Sequence, residues 1–149
     1  MTKHLFLYSL AGLMLVGFAF QRTRSKPTTQ VSGELAAPTV DAAGIVHVGS
    51  IRLWRDYAAN EVAADNLYKG KSVRVKGRVL SISRDPHGAA VLHLVSSNPV
   101  FQTMATLEAA ETQRAAALVK GTPVTVQCVG NGLVMRMPQL EHCSLDEPR

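Results

Sequence analysis

The sequence predicts a small, mainly β domain with two helices, one placed ahead of a five-stranded barrel and one between its third and fourth strands. Three observations carry this expectation. Apolar residues step by three and four through residues 53–67 and then alternate with cations from Lys71 onward, so a helix runs straight into a strand. The alternation slips phase once, between Val79 and Leu80, as it does where a strand bends to serve two sheets. Beyond the slip, further alternating stretches are divided by Gly- and Pro-bearing turns and by one run of good helix formers.

In chain order, Leu53, Tyr57, Asn60, Ala64 and Leu67 share one face of the first helix, with Asp56 and Asp65 opposite. Asn60 is the polar member of that face and needs a hydrogen bond, most simply to backbone of the adjoining strand. Gly70 ends the helix, with Lys69 favourably near its carbonyl end. In the first strand Val73, Val75, Gly77 and Val79 point one way and Arg74, Lys76 and Arg78 the other. Gly77, just ahead of the slip, permits the bend. "DPHG" (85–88) is a turn, residues 89–96 and 99–107 are the next two strands, and Glu108 to Leu118 is the second helix, with Thr106 as its N-cap. "TPVTVQCVG" and "MPQLEHCSL" complete the set. Helix, three strands, helix and two strands, with a bent first strand, is the chain order of an OB-fold barrel preceded by an N-terminal helix.

Two appendages precede this domain, which is expected over residues 51–145 with a tail at 146–149. Leu5 to Phe20 is an uncharged run of 16 residues after Lys3, between a signal-peptide core and a membrane span of about 17 to 25 residues. Residues 1–25 are therefore expected as a signal peptide or membrane anchor. No cysteine follows Leu10-Ala11-Gly12, which leaves the lipoprotein route unsupported, and Arg22, Arg24 and Lys26 after the run oppose export. Residues 26–50, rich in Pro, Thr, Ser, Gly and Ala, are expected as a flexible linker, with "IVHV" (45–48) either a short strand or nothing.

The two cysteines, Cys128 and Cys143, sit on adjacent expected strands, and an exported domain would join them in a disulfide. That agreement favours export. Only His142 lies nearby as another ligand, so a metal site is not expected. The disulfide conflicts with Asn131-Gly132, a strong two-residue turn signal that would set Cys128 opposite Met135. Directly opposed cysteines instead centre the turn between Met135 and Arg136. Pro138, tolerated at a strand start, favours the disulfide register, with a wide loop over residues 130–137.

The stretch "YAANEVAADNLYKGKSVRVKGRVLSISRD" resembles the opening of the tRNA_anti-like family of bacterial OB-fold proteins, through Tyr57, Asn60-Glu61, Ala64-Asp65, Tyr68, Gly70-Lys71, Gly77 and Val79. "LVKGTPVTVQCVG" and "LEHCSL" are similar to its fourth and fifth strands, while the cysteine often carried by the third strand is missing. The resemblance implies the fold; it implies no activity, because none is established for the family.

The candidate binding residues are the cations Lys71, Arg74, Lys76, Arg78 and Arg84. They make either a solvated strand face or a surface for an acidic ligand. The domain itself is only weakly basic, with 12 Lys and Arg against 9 Asp and Glu from residue 51 onward. Nucleic acid is disfavoured as a partner, because single-strand binding on OB barrels also uses exposed aromatics and the third strand offers only Phe101. Trp54, Tyr57 and Tyr68 read as packing residues, and His87, His93, Asp85, Glu108 and Glu111 form no catalytic pattern. The expected protein is a non-enzymatic, cofactor-free OB-fold binding module of the bacterial cell envelope, inner-membrane-anchored or periplasmic. Its ligand would be an acidic polymer or a protein, met at the barrel face and the loops near Asp85-Pro86 and Asn131-Gly132. The alternative is a membrane-anchored nucleic-acid-binding domain facing the cytoplasm.

Overall fold

Strand β3, Ser72–Arg84, organises the fold, and its two halves have different partners. A computed structural model describes residues 33–147 of the chain. The first half of β3 pairs antiparallel with β6 (Pro123–Val134), from Ser72↔Val129 to Arg78↔Pro123. The second half pairs antiparallel with β4 (Ala90–Leu94), and the register shifts between Val79 and Ser81, at the predicted phase slip. β4 pairs with β5 (Thr103–Leu107), β5 runs parallel to β7 (Met137–Leu145), and β7 pairs with β6, which closes the five-stranded OB-fold barrel. Val73, Val75, Val79, Leu92, Leu94 and Val126 are essentially inaccessible and form its core. Burying one such side chain contributes about 1.5–3 kcal/mol before the entropy of ordering it.

The helical content departs from the two-helix expectation: four helical segments lie between Ser50 and Ala116. The single N-terminal helix is two, α1 (Ser50–Ala59) and α2 (Glu61–Tyr68). Asn60 separates them, extended at φ −162° and ψ 101°, with its side chain capping α2 by accepting from Ala63 N at 3.1 Å. It is a cap, not a buried residue bonded to a strand. Tyr68, eleven residues beyond Tyr57, is fully buried, and Leu67 faces outward.

The expected second helix is a 3-10 turn, Ala109–Glu111, joined to a five-residue α3, Thr112–Ala116. Thr106 is not its cap; it lies within β5, opposite Val91. Propensity alone overestimated this element, because Ala115 is its one buried residue and packing, not propensity, sets helix length in a folded chain.

Ahead of the barrel, Thr39–Val40 (β1) and Val46–Gly49 (β2) form strands inside the stretch expected as linker. β2 runs parallel to the first half of β3, Val46↔Val73 through Gly49↔Lys76, and buries Val46 and Val48. The apolar alternation of "IVHV" is thus a strand that covers the half of β3 which β4 does not reach. Gly77 serves packing more directly than bending: a Cβ there would meet Ser50 Oγ at 2.5 Å, and that hydroxyl donates to Val95 O at 2.6 Å.

Cys128 and Cys143 are joined in a disulfide. Val134↔Met137 and Leu133↔Pro138 set the hairpin register that opposes the two cysteines, with the turn at Met135-Arg136. The expected wide loop over residues 130–137 is not there. Met135 and Arg136 instead make a two-residue turn with both residues left-handed, at φ 49° and 66°, and Asn131-Gly132 fall at a register shift within β6. Two non-glycine residues in that region cost about 1–2 kcal/mol each. Trp54 Nε1 donates to Arg136 O at 3.2 Å, and the Arg136 guanidinium lies 5.5 Å from the centre of the Phe101 ring; these contacts hold the tip.

The expected signal peptide or anchor (1–25) and the first part of the linker lie outside the described residues. No described helix is long and apolar enough to cross a membrane.

Candidate functional site

The alternation of β3 places Arg74, Lys76 and Arg78 on the outer face of the half-barrel built by β2, β3 and β6. Each row of that face is set by register: His47, Arg74 and Gln127 in one, Gly49, Lys76 and Thr125 in the next, and Arg78 beside Pro123 beyond. Segments fold over both sides of this face. Residues 33–37 approach over β2, and Arg114 of α3, Leu145, Asp146 and Glu147 approach over β6. Between them lies an open groove of about 980 Å³.

The candidate cations are not gathered in one place. Arg74 donates to Gln127 Oε1 at 2.8 Å and has Asp146 Oδ2 3.3 Å from its Nε, too poorly aligned to serve that buried N–H as a hydrogen bond. Arg78 Nε lies 4.0 Å from Glu34 Oε1. Lys71 bonds the carbonyl of Asn66 at the end of α2, and Arg84 bonds Gly88 O at 2.9 Å in the β3–β4 hairpin, away from the groove. Lys76, exposed in the groove, makes no ion pair among the described residues. Of the five, Arg74 and Lys76 line the groove and Arg78 borders it. Arg114 adds a cation the sequence reading passed over, but it is tied to Glu111, to Glu147 and to the carbonyls of Leu145 and Asp146.

An acid lies buried beside the groove. Glu34 is 3% exposed, and its Oε2 has no hydrogen-bond partner among the described residues. Burial pushes its carboxyl above the ordinary glutamate range, against the opposing pull of Arg78 and Lys76. Its backbone rests against Gly49, in the space that any Cβ at residue 49 would fill. No sequence signal pointed to Glu34, because its seat is assembled from residues 49, 76 and 78.

The opposite face, on β4 and β5, is the one OB barrels use for oligonucleotides. Here it presents His93, Met104 and Thr106, none of them fully exposed, and His93 Nε2 shares a hydrogen bond with Ser83 Oγ at 2.8 Å. Phe101 lies at its end with Arg136 stacked over it, so the face offers neither a cation track nor an open aromatic platform. Tyr57 and Tyr68, considered as packing residues, do pack: their rings are 6.0 Å apart between α1 and α2. Tyr57 donates to Asp65 at 3.1 Å and Tyr68 to Asp56 at 2.6 Å, and burial first, then these bonds, raise both phenols well above the ordinary tyrosine range. Among the described residues no three His, Cys, Asp or Glu side chains group as a metal site.

The tRNA_anti-like family model matches residues 1–144. Among solved structures, the chain is similar to a candidate nucleic acid-binding lipoprotein from Klebsiella pneumoniae subsp. pneumoniae, at 18% identity and a TM-score of 0.53, over 70% of this chain and 94% of that one. It is also similar to a candidate aspartyl-tRNA synthetase from Leishmania major, at 13% identity and a TM-score of 0.45, over 75% of this chain and 24% of that one. No curated protein sequence matches. At such identities the likeness to the lipoprotein concerns the fold.

Proposed function

The chain belongs to the tRNA_anti-like family, and on that premise we propose that it is a non-enzymatic OB-fold binding module of the bacterial cell envelope, inner-membrane-anchored or periplasmic, which takes an acidic ligand in the groove beside Arg74 and Lys76. The observation that carries this reading is Lys76, an exposed ammonium inside a groove of about 980 Å³, with no ion pair among the described residues. The Cys128–Cys143 disulfide agrees with an oxidising compartment. Tagged full-length protein should capture its ligand from its own membranes, and Lys76→Glu should reduce that capture by about tenfold, the equivalent of about 1.4 kcal/mol. Equal capture by both would remove the groove from the reading. A reporter fused after Arg149 that is active only in the cytoplasm would remove the envelope.

The competing reading, a nucleic-acid module facing the cytoplasm, draws on the description of the Klebsiella lipoprotein. The neutral β4–β5 face and the internally paired Arg74, Arg78 and Arg114 weigh against it. A single-stranded oligonucleotide should bind weakly at most, and submicromolar binding at physiological salt would reverse the order of the two readings.

A further inference from the structure

A carboxylate is already buried beside the groove, and what holds it there is incomplete. Glu34 is buried, yet one of its oxygens has no partner and the other stands 4.0 Å from Arg78, beyond hydrogen-bond distance. The segment that delivers it is lightly attached: Gly33, Leu35, Ala36 and Ala37 are all exposed. Gly49 supplies the means of attachment, because the missing side chain lets a polypeptide backbone lie directly on β2.

We propose that the seat formed by Gly49, Lys76 and Arg78 is a subsite for the carboxylate of an acidic peptide, filled in the resting chain by its own Glu34 and opened when residues 33–37 lift away. The inference rests on the groove reading above and adds the ligand class to it. A peptide is favoured over a polyanion because the resident occupant is itself a peptide, with small residues lining the groove on both sides of the glutamate. A polyanion would need a run of unpaired cations, whereas Arg74 and Arg114 are engaged by Asp146 and Glu147. The groove offers one carboxylate seat, not a track. A ligand carboxylate that closes to hydrogen-bond distance of Arg78 makes the charge-assisted bond that Glu34 lacks.

The test uses the full-length chain and a labelled synthetic peptide of residues 29–40, TQVSGELAAPTV. Wild-type protein should bind it weakly, because its own segment competes. Glu34→Ala should bind it about tenfold more tightly, as expected when a seat vacant about a tenth of the time becomes vacant always. Adding Arg78→Glu should abolish the gain. In wild-type protein, saturating peptide should speed hydrogen exchange at residues 33–37, a readout that needs no variant. Equal affinity of wild type and Glu34→Ala, or unchanged exchange, would each overturn the subsite. If Lys76→Glu still blocks capture of the membrane ligand while Glu34→Ala has no effect, the subsite fails and the groove stands. If Lys76→Glu has no effect on either, the groove itself fails.

Discussion

The barrel joins β6 to β7 by the Cys128–Cys143 bond and by paired backbone from Val126↔Leu145 to Val134↔Met137. The addition at residues 33–49 is joined to that barrel by the four-residue β2 and by one buried side chain, Glu34, with β1 pairing only with β2. Buried polar groups divide instead between the helical layer and the groove, where β3 also carries one without a partner, Arg74 Nε. In the helical layer on the barrel, Tyr68 meets Asp56 and Tyr57 meets Asp65, so each buried hydroxyl has a partner. In the addition, a buried carboxylate oxygen has none. A fully bonded polar group fixes one arrangement, whereas a half-bonded one leaves an alternative close in free energy. The difference locates rigidity in the barrel and adjustability beside the groove.

The strongest way to break this comparison is at Tyr68, where α2 is seated. Tyr68→Ala empties a fully buried site and should cost about 4 kcal/mol of unfolding free energy, as large aromatic truncations do. A loss under about 1 kcal/mol in urea unfolding would mean that the two helices are not part of the barrel's cooperative unit. Replacing both cysteines by Ala should cost about 3 kcal/mol for a bridge of sequence separation 15. It should leave local opening of residues 33–37 unchanged, since that opening does not unfold the barrel. Faster exchange at residues 33–37 in the double variant would join the two regions into one.

What the sequence disclosed follows the same line. The bend of β3, the apolar and cationic faces, and the pairing of Cys128 with Cys143 were legible because each depends on alternation or spacing along one or two strands. The turn at Met135-Arg136 was hidden by Asn131-Gly132, whose local signal is stronger and which the disulfide register converts into an irregularity in β6. Asn60 was legible as a polar interruption but was assigned to the helix face; its spacing to Ala63 is that of a cap. The state of the cations was not legible at all. Asp146 reaches Arg74 only after β7 has returned along β6, and Glu34 reaches Arg78 only across β2.

The smallest expected effect sharpens the comparison within the addition, where two acids shift in opposite directions. Asp41 is exposed, and the hydrogen bond from His47, followed by the backbone N–H groups of Ile45 and Ala43, holds its carboxyl below the ordinary value of 3.8. A lowered pKa means that its contribution is present above that value and is lost as pH falls through the lowered one. Glu34 is raised above its ordinary 4.5 by burial, which outweighs Arg78 and Lys76 on β3. Its seating is therefore strongest when protonated, below 4.5, and weakens as pH rises through the raised value. Acidifying from neutrality should first increase hydrogen-exchange protection at residues 33–37, after correction for intrinsic exchange. Only at lower pH should protection at residues 41–45 decline, as Asp41 takes up its proton and the β1–β2 turn loosens. Protection that rises or falls together in both segments would show that they move as one body, and Glu34 could not then be released while β2 stays in the sheet.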